Sequence, residues 1–128
     1  MEQIDYKDHP ILYVDDESDN LEILALSLAD TFTVMTASSG EEGLAILKRE
    51  PAALVISDQR MPGMTGMEFL QEVRKEHPQV VLILVTAYAD LDVLAEGMNA
   101  GLLYAYLLKP WESKELRMVL RRGIELYY

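Results

Sequence analysis

The chain has 128 residues, of which 50% are hydrophobic and 26% are charged, and it contains no cysteine. Lys and Arg number 11 and Asp and Glu number 22, so the formal net charge is −11. A chain of this length buries enough apolar surface for one domain without a disulfide or a structural metal. The absence of cysteine excludes thiolate metal sites and cysteine nucleophiles. The acidic balance argues against direct binding to nucleic acid or to an anionic membrane, since both carry like charge.

Short apolar runs alternate with amphipathic stretches along the whole chain. Runs this short and this hydrophobic are typical of strands buried on both faces of a sheet. In chain order the predicted strands are 11–14, 32–36, 53–57, 80–85 and 104–108. The predicted helices begin near 19, 39, 65, 90 and 113, and the fourth ends near 99. Ser39 with Glu42 and Thr65 with Glu68 have the spacing of capping boxes, which marks two of the helix starts.

Five strand–helix repeats predict an α/β fold with a parallel sheet and right-handed crossovers. We expect a five-stranded, doubly wound sheet of the flavodoxin-like order 2-1-3-4-5. In that order the chain reverses direction between strands 1 and 3. Ligands of such sheets bind beyond the carboxyl ends of the strands at this reversal.

Polar side chains follow the carboxyl ends of the predicted strands. Asp15 and Asp16 follow strand 1, Asp58 follows strand 3, Thr86 follows strand 4 and Lys109 follows strand 5. Two carboxylates about 4 Å apart repel by about 4 kcal/mol at an effective dielectric near 20, so the cluster requires a retained proton or a cation. An all-oxygen ligand set suits Mg²⁺. With the lysine and the threonine, the cluster predicts a cradle for a phosphoryl group.

These residues, taken in order, resemble the receiver domain of bacterial two-component response regulators. The resemblance is carried by Asp15-Asp16, the run at 58–66, Thr86-Ala87, Tyr106 and Lys109-Pro110, and it spans about residues 11 to 127. Each motif alone is a weak signal, but five in order, each at a strand end, are specific.

The resemblance implies a phosphoacceptor and a metal site. It implies that Asp58 accepts a phosphoryl group from the phosphohistidine of a sensor histidine kinase or phosphotransfer protein. Asp16 and Asp58 would bind Mg²⁺, or Mn²⁺, directly, and Asp15 would do so through water. The backbone carbonyl of Arg60 would be a further ligand.

The resemblance also implies the groups that bind and sense the phosphoryl group. Lys109, the Thr86 hydroxyl and the amide of Ala87 would contact its oxygens. Thr86 and Tyr106 would act as the switch, and Lys109-Pro110 would be joined by a cis peptide, which proline makes accessible. The switch would alter the surface formed by the fourth helix, the fifth strand and the fifth helix.

The same resemblance predicts a cytoplasmic signalling switch that catalyses only its own phosphotransfer and autodephosphorylation. We expect residues 1–9 to be a lead segment and residues 10–128 to be the receiver domain, with no output domain in this chain. The phosphorylated state would control an output domain or a downstream partner. The acidic fourth helix and the basic fifth helix also fit a two-fold homodimer, although two solvated faces explain the same charges equally well.

Three other functions remain open at this point. A docking module on a receiver fold would work without phosphorylation, but the set of five site motifs is complete. A flavodoxin-like cofactor binder would need a phosphate cradle after strand 1, where the loop is acidic. A phosphatase with an aspartate nucleophile would need a carboxylate two residues after Asp58, where Arg60 stands.

Overall fold

Five parallel strands form one sheet in the computed structural model, which describes residues 4–87, 92, 95 and 101–128. The strands are β1 (Ile11–Val14), β2 (Val34–Ala37), β3 (Leu54–Asp58), β4 (Val81–Thr86) and β5 (Ala105–Leu108). Every neighbouring pair is parallel, and the order is β2-β1-β3-β4-β5. The order predicted from the alternation of strands and helices is therefore confirmed.

Four helices and a short 3₁₀ turn at Tyr6–Asp8 have both ends within the described residues. The helices are α1 (Ser18–Leu28), α2 (Gly40–Arg49), α3 (Gly66–Glu76) and a C-terminal helix (Ser113–Tyr127). The predicted fourth helix lies outside the described residues, except for Asp92 and Ala95, which are helical. None of the helices in the described ranges combines the length and the apolar character that crossing a bilayer requires.

The bounds of β3 and β4 are each one residue later than predicted, and β2 and β5 begin later than predicted. The chain leaves α1 through a turn in which the amides of Thr31 and Phe32 donate to the Leu28 carbonyl. This turn delays the start of β2 to Val34, although Phe32 is buried. At the other end of the sheet, Tyr104 precedes β5 and is exposed.

The two predicted capping boxes form to different extents. At α3, the Thr65 side chain accepts from the Glu68 amide, and the Glu68 carboxylate accepts from the Thr65 amide. At α2, Ser39 accepts from the Glu42 amide, but the Glu42 carboxylate accepts from the amide and hydroxyl of Ser38. In the α2 box, the Glu42 carboxylate therefore binds the residue before the N-cap and not the N-cap residue Ser39.

Each face of the sheet is covered by a different pair of helices. On one face the sheet packs against α2 and α3, and on the other against α1 and the C-terminal helix. The helix residues buried on the first face are Leu47, Met67, Phe69, Leu70 and Val73. Those buried on the second face are Leu24, Leu28, Leu116, Leu120 and Ile124. Because side chains alternate along a strand, this partition also decides which site residues share a face.

The described part of the predicted lead segment packs against the domain. The Tyr6 hydroxyl donates to Glu125 of the C-terminal helix at 2.7 Å, and the Tyr6 ring lies edge-on to Phe32. The Thr33 hydroxyl donates to the Lys7 carbonyl at 2.8 Å. These contacts hold the lead at the end of the sheet opposite to the predicted site.

Gly66, the first residue of α3, controls how closely that helix approaches the end of β3. A Cβ atom at this position would lie 2.1 Å from the backbone oxygen of Asp58, whereas one at Gly123 would meet the flexible end of Leu54 at 2.6 Å. We expect Gly66→Ala to lower the free energy of unfolding by about 3 kcal/mol, because backbone cannot move aside as a side chain can. We expect Gly123→Ala to change it by about 1 kcal/mol at most, since alanine favours a helix interior. Urea denaturation of both variants is the measurement, and equal losses would contradict this account.

Candidate functional site

Three carboxylates meet at the carboxyl edge of the sheet, where β1 and β3 lie side by side. Asp15 and Asp16 directly follow β1, Asp58 ends β3, and Val14 is paired in register with Ser57. One carboxylate oxygen from each aspartate lies within 4.8 Å of the other two. Asp15 and Asp58 are buried and Asp16 is exposed. The cluster is therefore a crevice that opens to solvent on the side of Asp16.

Asp15 is held by four donors from different parts of the fold. Its Oδ2 accepts from the Tyr13 hydroxyl at 2.7 Å, from Asn20 Nδ2 at 3.2 Å and from Lys109 Nζ at 3.2 Å. Its Oδ1 accepts from the Glu17 amide at 3.0 Å. A carboxylate offers about four lone-pair positions, so most of the acceptor capacity of Asp15 is already used. This side chain is fixed in place before any ligand binds.

Lys109 is shared between two of the carboxylates. Its Nζ lies 3.2 Å from Asp15 Oδ2 and 3.4 Å from Asp58 Oδ1. Its amide donates to the Thr86 carbonyl at 2.8 Å, which ties the end of β5 to the end of β4. The peptide bond from Lys109 to Pro110 is cis. The ammonium thus stands within ion-pair distance of both the fixed Asp15 and Asp58.

The surroundings drive the two buried carboxyl groups in opposite directions. Burial raises the pKa of Asp15, but the hydrogen bonds from Tyr13 and the Glu17 amide, with the charge of Lys109, outweigh it and hold that pKa below its ordinary value. Burial also raises the pKa of Asp58. The charge of Lys109 lowers this pKa, but the charge of Asp15 raises it further, so the pKa of Asp58 stays above its ordinary value. Burial and then the hydrogen bond to Asp15 raise the pKa of Tyr13, which stays a neutral donor.

The donor set fits a hard divalent cation. Three carboxylates face one ammonium, so a cation relieves the remaining repulsion. All the clustered ligand atoms are oxygens, and Mg²⁺ is bound in proteins by one or two carboxylates together with water and phosphate oxygens. Asp16, which is exposed, and Asp58 are the carboxylates with the most free acceptor capacity.

The strand alternation places the other predicted residues on the opposite face. Thr86 is 2% exposed and ends β4, and Ala87 after it is exposed. Tyr106 is paired in register with Leu84 and packs against the α2–α3 face. Thr86 follows Leu84 by two residues, so Thr86 and Tyr106 belong to the same face on neighbouring strands. Thr86 therefore ends β4 beside β3 on the same face as Tyr106.

The residue after Asp58 anchors the loop that carries it. The Gln59 amide donates to the Val85 carbonyl at 3.0 Å. The Gln59 carbonyl accepts from the Gly66 amide at 3.0 Å, and its side-chain oxygen accepts from the Met67 amide at 2.8 Å. Arg60, whose carbonyl was predicted to be a metal ligand, follows in this loop with an exposed side chain.

Sequence reasoning missed Tyr13, Asn20 and Gln59. A usable signal existed for Tyr13, because it stands two residues before Asp15 in a strand and therefore on the same face. A hydroxyl in an otherwise aliphatic strand also requires a buried partner. Asn20 and Gln59 gave no comparable signal, since their partners depend on how α1 and α3 approach the sheet.

Comparison with known proteins agrees with this geometry. A family profile for the response regulator receiver domain matches residues 11–121. The chain is 40% identical over 119 residues to the hydrogenase transcriptional regulatory protein HoxA of Cupriavidus necator. The aligned region covers 93% of this chain and 25% of that protein. It thus spans about a quarter of the length of that relative.

Solved structures show the same fold at similar levels of identity. An adenylate cyclase from Rhodopirellula baltica superposes with a TM-score of 0.88 at 36% identity, over 93% of this chain and 89% of that one. A response regulator receiver domain protein from Clostridium thermocellum superposes with a TM-score of 0.85 at 35% identity, over 91% of this chain and 94% of that one. The chain belongs to the response regulator receiver domains, the phosphoacceptor switches of two-component signalling.

Proposed function

We propose that Asp58 of this chain accepts a phosphoryl group from the phosphohistidine of a sensor histidine kinase or a phosphotransfer protein. The observation that carries the proposal is the position of Lys109, which bridges Asp15 and Asp58 within a cluster of three carboxylates. An Asp58 oxygen would attack phosphorus while the phosphorus–nitrogen bond to the imidazole breaks, leaving an acyl phosphate on Asp58. Lys109 would then pair with the phosphoryl oxygens, where charge accumulates.

The proposed cofactor is Mg²⁺, with Mn²⁺ as an alternative. Asp16 and Asp58 would hold the ion together with the Arg60 carbonyl. Asp15 would contact it through water, which is supported by the four donors that already occupy the Asp15 oxygens. When bound, the cation offsets the negative charge on the carboxylate nucleophile and on the incoming phosphoryl group.

The proposed switch passes from Asp58 to the other face of the sheet. A phosphoryl group adds up to about two negative charges and three strong acceptor oxygens. The Thr86 hydroxyl and the Ala87 amide would donate to these oxygens, and Tyr106 would move toward the space that the Thr86 side chain leaves. Because Tyr106 belongs to β5, the change would reach the surface formed by β5, the C-terminal helix and the predicted fourth helix.

The proposed readers of this surface are an output domain or a separate partner protein. The proteins that resemble this chain include a transcriptional regulator and an adenylate cyclase, which differ in what their names describe. A two-fold homodimer through the same surface is one form that the response would take. We place the exchange in the cytoplasm, which the lack of cysteine supports, and the acidic charge supports an output without direct binding of this domain to nucleic acid or membrane.

The phosphoacceptor is tested with beryllofluoride, an analogue of the phosphoryl group, or with acetyl phosphate. We expect the fluorescence of Trp111, which directly follows Lys109-Pro110, to change with either reagent only when Mg²⁺ is present, since the carboxylates must be neutralised first. Asp58→Asn should abolish the change. Asp19→Asn is the matched control, because Asp19 is an acid in the first turn of α1 outside the carboxylate cluster, and it should respond like the unmodified chain.

A chain that shows no Mg²⁺-dependent response by fluorescence or by phosphoprotein gel would contradict this function. That result would favour the docking module, in which the fold binds partners without phosphorylation. Tight copurification of a flavin, or turnover of phosphate esters, would favour the cofactor binder or the phosphatase.

The kinase or phosphotransfer protein must dock beside the crevice, and an apolar surface is available there. Ile23 of α1 is 66% exposed. It lines a cleft of about 240 Å³ together with Leu24, Lys109, Pro110 and Trp111. Lys109 connects this cleft directly to Asp58. We propose that the partner that carries the phosphohistidine packs on this surface.

Ile23→Asp tests the docking surface. A buried apolar anchor at an interface is worth more than about 1 kcal/mol, so we expect about a tenfold slower transfer from a phosphorylated histidine kinase. Beryllofluoride binding should stay unchanged, since Asp58 is untouched. Leu126→Asp is the matched control, because Leu126 is equally exposed on the C-terminal helix. Equal slowing by both variants would contradict this placement of the partner.

A further inference from the structure

Tyr13 differs from the rest of β1 and from every role assigned so far. The other three residues of the strand are aliphatic, and Tyr13 is fully buried among them. Its hydroxyl donates to Asp15 Oδ2 at 2.7 Å, the shortest of the four hydrogen bonds to that carboxylate. A hydroxyl is kept in the core here, where a phenylalanine would fill the same space without needing a partner.

The hydrogen bond matters because Asp15 Oδ2 also binds Lys109. A fully buried carboxylate needs compensation for its lost hydration. At Oδ2 this compensation comes from one ammonium and two neutral donors, the Tyr13 hydroxyl and the Asn20 amide. The neutral donors carry no charge that a phosphoryl group on Asp58 would attract, whereas the ammonium does and also lies 3.4 Å from Asp58 Oδ1. The more the neutral donors stabilise Asp15, the less Asp15 retains Lys109.

We propose that Tyr13, with Asn20, is a positioning residue that satisfies Asp15 and so allows Lys109 to turn to a phosphoryl group on Asp58. The inference rests on the proposed phosphoacceptor function. It assigns the strength of phosphoryl binding to a buried hydroxyl that hydrogen-bonds to Asp15 and acts on Lys109 through that carboxylate. Without that hydroxyl, Lys109 becomes the main compensation for Asp15 and moves away at a greater cost.

Calorimetric titration separates this role from a structural one. Mg²⁺ is titrated first, and beryllofluoride is titrated next in the presence of saturating Mg²⁺. For Tyr13→Phe we expect about tenfold weaker beryllofluoride binding, the equivalent of about 1.4 kcal/mol, and a Mg²⁺ affinity within about twofold of the unmodified chain, since the proposed ligands Asp16 and Asp58 are unchanged. Tyr6→Phe is the matched control, because it removes a hydroxyl-to-carboxylate hydrogen bond of the same 2.7 Å length at the other end of β1. It should leave both affinities unchanged.

Three results would overturn the inference. Unchanged beryllofluoride binding in Tyr13→Phe would show that Lys109 is not restrained by Asp15. Parallel losses of Mg²⁺ and beryllofluoride binding would assign Tyr13 to the metal instead. Losses as large in Tyr6→Phe would show a general effect of stability. A failure of the proposed function looks different, since the unmodified chain would then bind no beryllofluoride at all.

A second measurement needs no metal. We compare the unfolding equilibrium in urea at pH 7 for Tyr13→Phe, Lys109→Met and the double variant. Lys109→Met should destabilise the Tyr13→Phe chain more than it destabilises the unmodified chain, by about a further tenfold in the unfolding constant. Additive effects would overturn the inference. If Tyr13→Phe does not fold, Asn20→Ala replaces it in both experiments with the same expected direction, because Asn20 is only partly buried.

Discussion

The central constraint on this structure is the repulsion among three carboxylates, which the parallel sheet brings together at one edge. Because β1 and β3 are neighbours and run in the same direction, Asp15 and Asp58 must end at the same edge. No rearrangement of side chains removes this proximity without changing the strand order. Part of the repulsion is compensated at Asp15. Its carboxylate pairs with Lys109, which follows β5, and accepts from the Tyr13 hydroxyl and from donors near the start of α1. The negative charge that these groups do not compensate attracts a cation.

The compensation is unequal, and this inequality separates the roles of the two buried aspartates. Asp15 receives four hydrogen bonds, and its pKa is held down despite burial, so it acts as a fixed anion. Asp58 is buried with fewer partners, and its pKa is raised by burial and by the charge of Asp15. A carboxylate that is poorly compensated at rest gains the most from a cation and from Lys109. The proposed nucleophile is therefore the member of the pair that the resting fold stabilises least.

The sheet also separates the residues proposed to bind the phosphoryl group from those proposed to act as the switch. Tyr13, Asp15 and Asp58 follow the alternation of the face covered by α1 and the C-terminal helix, whereas Thr86 and Tyr106 follow that of the α2–α3 face. A group attached to Asp58 lies at the strand ends, where both faces are within reach. Under the proposed function, this placement would allow a change of charge at Asp58 to reach β5 through Thr86 and Tyr106. Gln59 supports it by fastening the Asp58 loop to both β4 and α3.

The sequence by itself determined the order of elements, the parallel sheet and the identities of Asp15, Asp16, Asp58, Thr86 and Lys109 at strand ends. These follow from hydrophobic periodicity and from the rule that parallel strands present their carboxyl ends together, both of which are local or topological. Tertiary structure alone decided which oxygen of Asp15 meets Lys109, a residue 94 positions away, and that Tyr13, Asn20 and Gln59 take part. It also decided that β2 begins at Val34 and that the Glu42 carboxylate accepts from Ser38 at the start of α2. The physical reason is that hydrogen bonds depend on tenths of an ångström between elements that only packing brings together, whereas periodicity specifies only which face an element buries.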